Sequence, residues 1–585
     1  MAASSAAGLI ESATPKEMSP STDFAARVFA YHERTKHHFN RYARAPGQMD
    51  WATQPDPFRT YERAPRFELP LTADDVQTRY CDLYVREAVA PYPLGLDALA
   101  AFFELALGLT AWKEFGGTRW ALRSDPSSGN LHPTEGYVVL PQTTGLPAGV
   151  YHYVSRDHCL EQRCRLDGEP ARKLKERLPA GGFIVGVSSI HWREAWKYGE
   201  RAFRYCQHDT GHVIATLRYA AAALGWSAFL LDGFGDALVA KMLGLDREQD
   251  FASIDALDRE HPDVLMLVAP CGESPAQDEA AELECHAKDV AEVLSSGSWA
   301  GKANVLSPRH VDWDVIDDVA EATCKPPSLK GYSATRSNFA PLRPVCETRA
   351  ATLIRQRRSA VALDGVTSIS QQQFYAMLDT LLPRPGVAPW DAIPWEPKIH
   401  LGIFVHRVQG LDPGLYLLER TAEVHERFQE TLKNTARWTR APDCPKHLRL
   451  FCLHEADLRQ TAGSVSCHQD IAADGAFSLG MIAEFRDPIL SGAFWYRRLF
   501  WEAGMLGQVL YLEAEAAGVR ATGIGCYFDD AFHEVLGLSD DRFQSLYHFT
   551  LGGFTDDLRL ATLPAYEHLQ GSRHRAGGAV FDRLD

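Results

Sequence analysis

Two short stretches carry the groups an anionic ligand needs. The first is "PSSGN" (Pro126 to Asn130), set in "RSDPSSGNLHPTE" just before the apolar segment "GYVVL". Ser127, Ser128 and Asn130 offer side-chain donors and acceptors, Pro126 stiffens the turn, and Gly129 lets a backbone come close. The second is Arg357, Arg358 and Ser359, a pair of planar guanidinium forks beside a hydroxyl, which suits a phosphate. Alone, each has a plainer reading. "PSSGN" is then an ordinary turn entering a strand, and "RR" the solvated face of a helix with weak ion pairs. Their meaning depends on whether the fold joins two segments far apart in the chain.

Other constellations promise less. Cys206, His208, Asp209 and His212 place two histidines on one helix face at a metal-binding spacing. The surrounding helix is apolar, which favours core or interface histidines. His32, His37 and His38 lack companion ligands at such spacing, so no metal site is expected. There is no G-x-S-x-G nucleophile elbow, no G-x-G-x-x-G in a strand–helix setting and no Walker A loop.

The elements that must position these residues come from a chain of 585 residues, 45% hydrophobic, which is ample for two packed cores. Sixty basic against 76 acidic residues give a net charge of −16, which argues against a general binder of nucleic acid or anionic membrane but leaves room for a local basic pocket. The start is polar and lacks a signal-peptide core. The apolar run "AAAALGWSAFLL" is too short to span a membrane and contains Gly225. Twelve cysteines without CxxC pairs fit reduced thiols and a cytoplasmic protein.

Internal similarity is the strongest organising signal. Tyr205 to Leu245 aligns without a gap on Arg498 to Leu538, matching Gly211 with Gly504, Gly225 with Gly518 and Gly244 with Gly537; Ala221, Ala223, Asp236, Leu243 and Leu245 also meet identical residues. Each copy reads as a long apolar helix, a short strand, a short helix ending in "LGL", and then a buried strand. Upstream, "GYVVLPQTTGLPAGVYHYV" resembles "HLGIFVHRVQGLDPGLYLL", and "FAARVFAYHERTKHH" resembles "TRAATLIRQRRSAVAL". Collinear order over four segments points to duplication. The stretch between the copies, rich in Ser, Pro and charge, reads as a linker with one short helix. The expected layout is a flexible N-terminus at 1–19, a first domain at 20–295, a linker at 296–345, a second domain at 346–570 and a tail at 571–585.

"RRS" after a helix, "PSSGN" before a strand, and a long helix leading through a glycine to "TGIG" together resemble the FMN-dependent nitroreductase family. The first half is similar to its SagB-type dehydrogenase branch through "YHERTKHHFNRYA", "PSSGNLHPTE" and "WKYGERAFRYCQHDTGH". That branch includes oxidases that convert thiazolines and oxazolines to azoles in modified peptides. The resemblance implies an α+β fold of two nitroreductase-like domains forming an intramolecular pseudo-dimer, which need not dimerise further. It implies FMN as cofactor, an organic small molecule or peptide as substrate, and NAD(P)H or oxygen as electron partner.

In the family the serine loop reaches a flavin held by the other subunit. The implied FMN site therefore joins Pro126, Ser127, Ser128 and Asn130 of the first half to Arg357, Arg358, Ser359, Gly523, Ile524 and Gly525 of the second. Registering the Gly-x-Tyr turns puts Asp391, Ala392, Ile393, Pro394 and Trp395 opposite the serine loop. The first half has Glu33, Arg34 and Thr35 opposite "RRS", and "AFLLDG" opposite "ATGIG". The halves are complementary, although Arg34 and Thr35 leave a second flavin open. By the same resemblance Lys197 and Tyr198 are the candidates for proton abstraction, since hydride removal needs a base for the other proton. Two alternatives stand beside this reading: an NAD(P)H-dependent nitro or quinone reductase, and a nonredox protein that keeps the fold for binding or assembly.

Overall fold

The structure is a computed structural model that describes residues 20–272, 276–328, 339, 340, 342, 346–432 and 437–569. The expected flexible N-terminus, part of the expected linker and the C-terminal tail lie outside the described residues.

Two antiparallel sheets dominate. The first contains β1 (Thr134–Leu140), β2 (Ala148–Val154), β3 (Cys159–Leu166), β4 (Phe183–Ser189), β5 (Trp226–Leu230) and β6 (His261–Pro270) in the order β3-β2-β1-β4-β6-β5. The second contains β7 (Ile399–Val405), β8 (Gly414–Glu419), β9 (Arg449–Glu455), β10 (Phe477–Glu484), β11 (Arg520–Ile524) and β12 (Phe543–Gly552) in the order β9-β8-β7-β10-β12-β11. Each strand of the second sheet occupies the place of its counterpart six strands earlier. The central strands β1, β4, β7 and β10 are buried along their whole length. Such strands carry apolar residues in runs rather than in alternation.

Five helices position the site: α1 (Pro20–Arg34), α2 (His191–Tyr198), α3 (Ala202–Ala223), α4 (Ala350–Gln356) and α5 (Trp495–Ala516). The long helices α3 and α5 are buried almost all round, as their apolar sequences require, and they cross each other at the centre of the molecule. Two buried ion pairs link the halves reciprocally. Arg204 on α3 reaches Asp529 at 2.8 Å, and Arg497 on α5 reaches Asp236 at 2.8 Å. These are the same two positions in each copy, so the arrangement has approximate two-fold symmetry. The molecule is an α+β pseudo-dimer of two like domains within one chain.

The halves are also laced at their edges. Ala561–Leu563, late in the chain, pairs with Leu109–Phe115 of the hairpin Leu109–Phe115/Thr118–Arg123. The stretch expected as a linker is partly structural: Ser298–Trp299 pairs with β3, Lys302–Ala303 pairs with Tyr61–Glu62, and the helix Asp314–Ala322 packs on α1. Among the described residues, no helix is long and apolar enough to cross a membrane.

Candidate functional site

A cavity of about 850 Å³ opens between the halves, within the usual size of a small-molecule site. From the first half it takes Pro126, Ser127, Ser128, Asn130 and Tyr198; from the second it takes Arg357, Arg358, Ser359, Gly523, Ile524 and Gly525. The fold thus brings together the two segments that the sequence reading paired.

The serine loop is braced from below by two buried carboxyls. The Ser128 amide and hydroxyl both donate to Asp209 on α3, at 3.2 and 3.3 Å. The Ser127 hydroxyl donates to Glu194 on α2 at 3.5 Å and accepts from the His132 amide at 2.8 Å. Asn130 donates to the Ala121 carbonyl at 2.8 Å and meets His132 Nε2 at 3.1 Å. The loop's side-chain donors are therefore used within the protein. The Ser128 hydroxyl keeps acceptor capacity for a ligand, because it has two lone pairs.

Burial pushes the Asp209 carboxyl up to about 8, against the pull of its hydrogen bonds from the two serines. Burial and the neighbouring Asp209 raise Glu194 well above the usual carboxyl range, with Lys197 opposing. The tips of Lys197 and Tyr198 converge on Gly129, whose φ is +62°. A β-carbon there would stand 2.9 Å from Lys197 Nζ and 2.6 Å from the Tyr198 hydroxyl. Gly129 thus provides both the left-handed turn and the room for these two groups.

The opposite wall is basic. Arg357, buried, donates to the Arg123 carbonyl at 2.9 Å and lies 5.0 Å from the centre of the Tyr511 ring. Arg358 donates to backbone carbonyls of Arg355, Arg357 and Thr110. Burial, with Arg357 beside it, brings Arg358 down to about 10. Lys113, Arg123 and Arg520 line the same space. Among the described residues, none of Arg123, Arg357 and Arg358 has a carboxylate within salt-bridge distance, and the Nε atoms of Arg123 and Arg357 are buried without a partner. Arg520 pairs with Asp556 at 2.7 Å, but in a chain of net charge −16 three guanidinium groups without a salt bridge still make a place for an anion.

The floor is the end of β11. Tyr511 joins it to the clamp, hydrogen-bonded to Ser359 Oγ at 2.8 Å and accepting from the Gly523 amide at 3.0 Å. A side chain at Gly523 would strike the Tyr547 hydroxyl, and one at Gly525 would strike the Tyr205 ring. Both glycines therefore answer a packing demand from aromatic neighbours.

The counterpart positions in the other half are filled by side chains. Tyr205 corresponds to Arg498, which pairs with Asp232 and lies within 4.8 Å of the centres of Trp395, Trp495 and Phe494. Tyr511 corresponds to Arg218, which grips Asp391 at 2.8 Å. Arg34 and Thr35 do not face this region. Arg34 pairs with Glu200 at 2.7 Å, while Thr35 donates to the Tyr31 carbonyl at 2.8 Å and accepts from Arg204 at 2.9 Å. Their proposed match to Arg358 and Ser359 fails because α1 packs against Asp314–Ala322 and Arg486–Ser491 instead of lying beside β5.

The histidines of α3 are interface groups. His208 Nε2 meets the Leu546 carbonyl at 3.0 Å and its ring stacks on Tyr547, while His212 meets Gln508 at 3.3 Å. Glu33, His38 and Asp530 form the one metal-like cluster among the described residues, but the Lys36 ammonium pairs with both carboxylates, at 2.9 and 2.8 Å. Asp209, Glu194, Arg123 and Tyr511 were missed as site residues. Asp209 had a signal, as the single carboxylate on α3. Glu194 had a weaker one, three residues before Lys197.

Comparison with known proteins agrees with this geometry at family level. Residues 91–254 match the model of the Nitroreductase family. A protein of Methanocaldococcus jannaschii named as a nitroreductase is 28% identical over 170 residues, covering 28% of this chain and 81% of that protein. The trifolitoxin-processing protein TfxB of Rhizobium leguminosarum bv. trifolii is 31% identical over 198 residues, covering 31% of this chain and 53% of TfxB. A crystal structure from Anabaena variabilis, also named as a nitroreductase, superposes with a TM-score of 0.63 at 22% identity over 90% of this chain and 99% of its own. That likeness speaks for the fold across both halves. Residues 91–254 are thus similar to the nitroreductases, and the likeness of fold extends across both halves.

Proposed function

We propose that the chain is an FMN-dependent oxidoreductase with a single composite flavin site between its halves. One observation carries this: a cavity of about 850 Å³ lined by the serine loop of one half and by Arg357, Arg358 and Ser359 of the other, the two guanidinium groups making no salt bridge among the described residues. The residues fit the group. Arg357, Arg358 and Ser359 would hold the phosphate by charge-assisted hydrogen bonds. Gly523, Ile524 and Gly525 would lie along the ring edge, while Pro126, Ser127, Ser128 and Asn130 close the opposite side. The filled counterpart region supports one flavin per chain.

When bound, FMN accepts or donates a hydride, which the side chains alone cannot do. The chain's part is to orient the substrate and manage the accompanying proton. The proposal gives this task to Lys197, with Tyr198 beside it; the nearness of both side-chain tips to the Gly129 turn supports it. Burial and the neighbouring Asp209 raise Glu194 well above the usual carboxyl range, so it brings less negative charge beside Lys197 than an ionised carboxylate would. The likeness to a protein named for trifolitoxin processing supports a role in peptide maturation; the proposal completes it with a SagB-type dehydrogenation in the cytoplasm and oxygen or NAD(P)H as electron partner.

The test is the flavin content of the purified full chain, with the cofactor identified after denaturation. One FMN per chain, lost with Arg358→Ala and kept with Arg34→Ala, is the expected result. A colourless chain that gains no flavin from added FMN overturns the proposal and leaves a binding scaffold.

A further inference from the structure

The helix α2 presents two faces to two different spaces. Glu194, Lys197 and Tyr198, three and four residues apart, share the face beside the serine loop. His191, Trp192 and Ala195 fall on another face and line a second cavity of about 390 Å³, again within the usual size of a small-molecule site. The two cavities share no lining residue. The second is also walled by Leu257, by His261 at the start of β6, and by Trp313 and Ile316 from the stretch expected as linker. The Ile316 amide donates to the Trp313 carbonyl at 2.7 Å, which sets the first turn of the helix Asp314–Ala322 against the cavity.

Three nitrogen atoms of the lining side chains are buried without a partner: His191 Nδ1, Trp192 Nε1 and Trp313 Nε1. His191 and Trp192 are only 5% and 3% exposed. An indole N–H can only donate, and a buried donor is costly unless an acceptor reaches it. The His191 ring stacks on that of His261, with centres 4.1 Å and planes 15° apart. Burial holds both rings below the usual histidine range, His261 at about 4, so the pair is neutral at pH 7. The other charges on the walls are mostly committed. Arg259 pairs with Glu248 at 2.8 Å, and Glu260 accepts from Tyr61, Tyr137 and Ser188 at 2.7, 2.7 and 2.6 Å. Asp312 and Asp317, exposed at the rim, have no hydrogen bond or ion pair among the described residues.

We propose that this second cavity binds an amino-substituted nitrogen heteroaromatic ring, the chemistry of adenine. Ring nitrogens accept from the indole N–H groups of Trp192 and Trp313, while Ala195, Leu257 and Ile316 cover the ring. The exocyclic amino group donates to Asp312 or Asp317 at the rim. Other chemistries fit less well. A purely apolar molecule leaves both indole donors unpaired, and a carboxylate or phosphate meets the two rim carboxylates. The proposal stands on the lining of this cavity and is independent of the flavin reading.

The experiment titrates the full chain with adenine, by calorimetry and by saturation-transfer NMR, with and without excess FMN. Adenine is expected to bind with a dissociation constant below about 1 mM, and excess FMN should not displace it. Purine, which lacks the amino group, should bind roughly tenfold more weakly, as should adenine to Trp313→Phe, which loses one indole donor. Asp317→Ala combined with Asp312→Ala should weaken adenine but not purine, and both positions are exposed, so the fold is not at stake. No saturation transfer to adenine at millimolar concentration overturns the proposal. So does adenine that FMN displaces, or that binds no better than purine to the unmutated chain; neither readout depends on a variant folding.

Discussion

Gly211 and Gly504 face each other where α3 and α5 cross: a β-carbon on Gly504 would stand 2.9 Å from the Gly211 α-carbon. One on Gly211 would run into the Trp501 carbonyl, and one on Gly504 into the His208 carbonyl. Backbone on both sides leaves nothing flexible to yield. Gly504→Ala is therefore expected to lower stability by about 2 kcal/mol or more, through overpacking and separation of the helices. Gly463→Ala is the control, since its nearest neighbour would lie at an ordinary 3.5 Å and alanine favours a helix. Denaturant midpoints that fall equally for both variants would show that the crossing tolerates the methyl.

The reciprocal ion pairs predict an acid-sensitive interface. Burial would raise the Asp529 carboxyl, but Arg201 and Arg204 hold it well below the usual carboxylate range. A carboxylate so depressed contributes stability that is present above pH ~4, its unfolded value, and lost as pH falls through the folded one. Arg204→Met removes one of the two cations and leaves a buried charge less compensated, at a cost of about 3 kcal/mol. The acid-unfolding midpoint, followed by circular dichroism, is expected to move to higher pH in this variant. An unchanged midpoint would mean that Arg201 alone suffices.

The gapless match of the two long helices made much of this legible in the sequence. It paired Gly211 with Gly504 and Asp236 with Asp529; one residue before the matched segment the same register puts Arg204 opposite Arg497, and the structure joins these arginines and aspartates crosswise. The serine loop and the arginine pair were also readable, because each has a distinct chemical signature. Arg34 and Thr35 were not, since their match to Arg358 and Ser359 rested on a short helix whose place is set by distant packing partners. The two-residue strands Ser298–Trp299 and Lys302–Ala303 are too short to show a period, so their stretch read as linker. Asp209 and Glu194 became site residues only when the fold buried them beneath the loop.

Asp209 gives the site its own pH dependence. Burial first of all lifts its carboxyl from about 3.8 to about 8 in the folded chain. Between those values the folded state holds a proton that the unfolded state has lost, so stability falls as pH rises through the window and levels off above it. Asp209→Asn removes that slope while keeping an acceptor for the Ser128 amide. The stability of the variant relative to the parent should therefore improve between pH 5 and pH 8, by an amount on the order of a few kcal/mol. A difference that does not change with pH would show that the carboxyl is already ionised at pH 5.

Gly129→Ala tests the link between the loop and the pair proposed to handle the proton, Lys197 and Tyr198. The residue has φ of +62°, and its β-carbon would fall 2.6 Å from the Tyr198 hydroxyl and 2.9 Å from Lys197 Nζ. Both neighbours are side-chain tips and can swing away, so the cost to stability should be limited, about 1–2 kcal/mol from the backbone angle. The cost to function should be larger, because Tyr198, which lines the cavity, and Lys197 beside it would be displaced together, and misplacement by about an ångström can cost on the order of a hundredfold in rate. On the proposed reading, in which Arg357 and Arg358 hold FMN, the expected signature is a flavin that is bound but reduced slowly by substrate, measured as bleaching of its visible absorbance in a single turnover. Normal bleaching in a folded Gly129→Ala chain would remove Lys197 and Tyr198 from the proposed chemistry and leave the base to be sought elsewhere along the cavity.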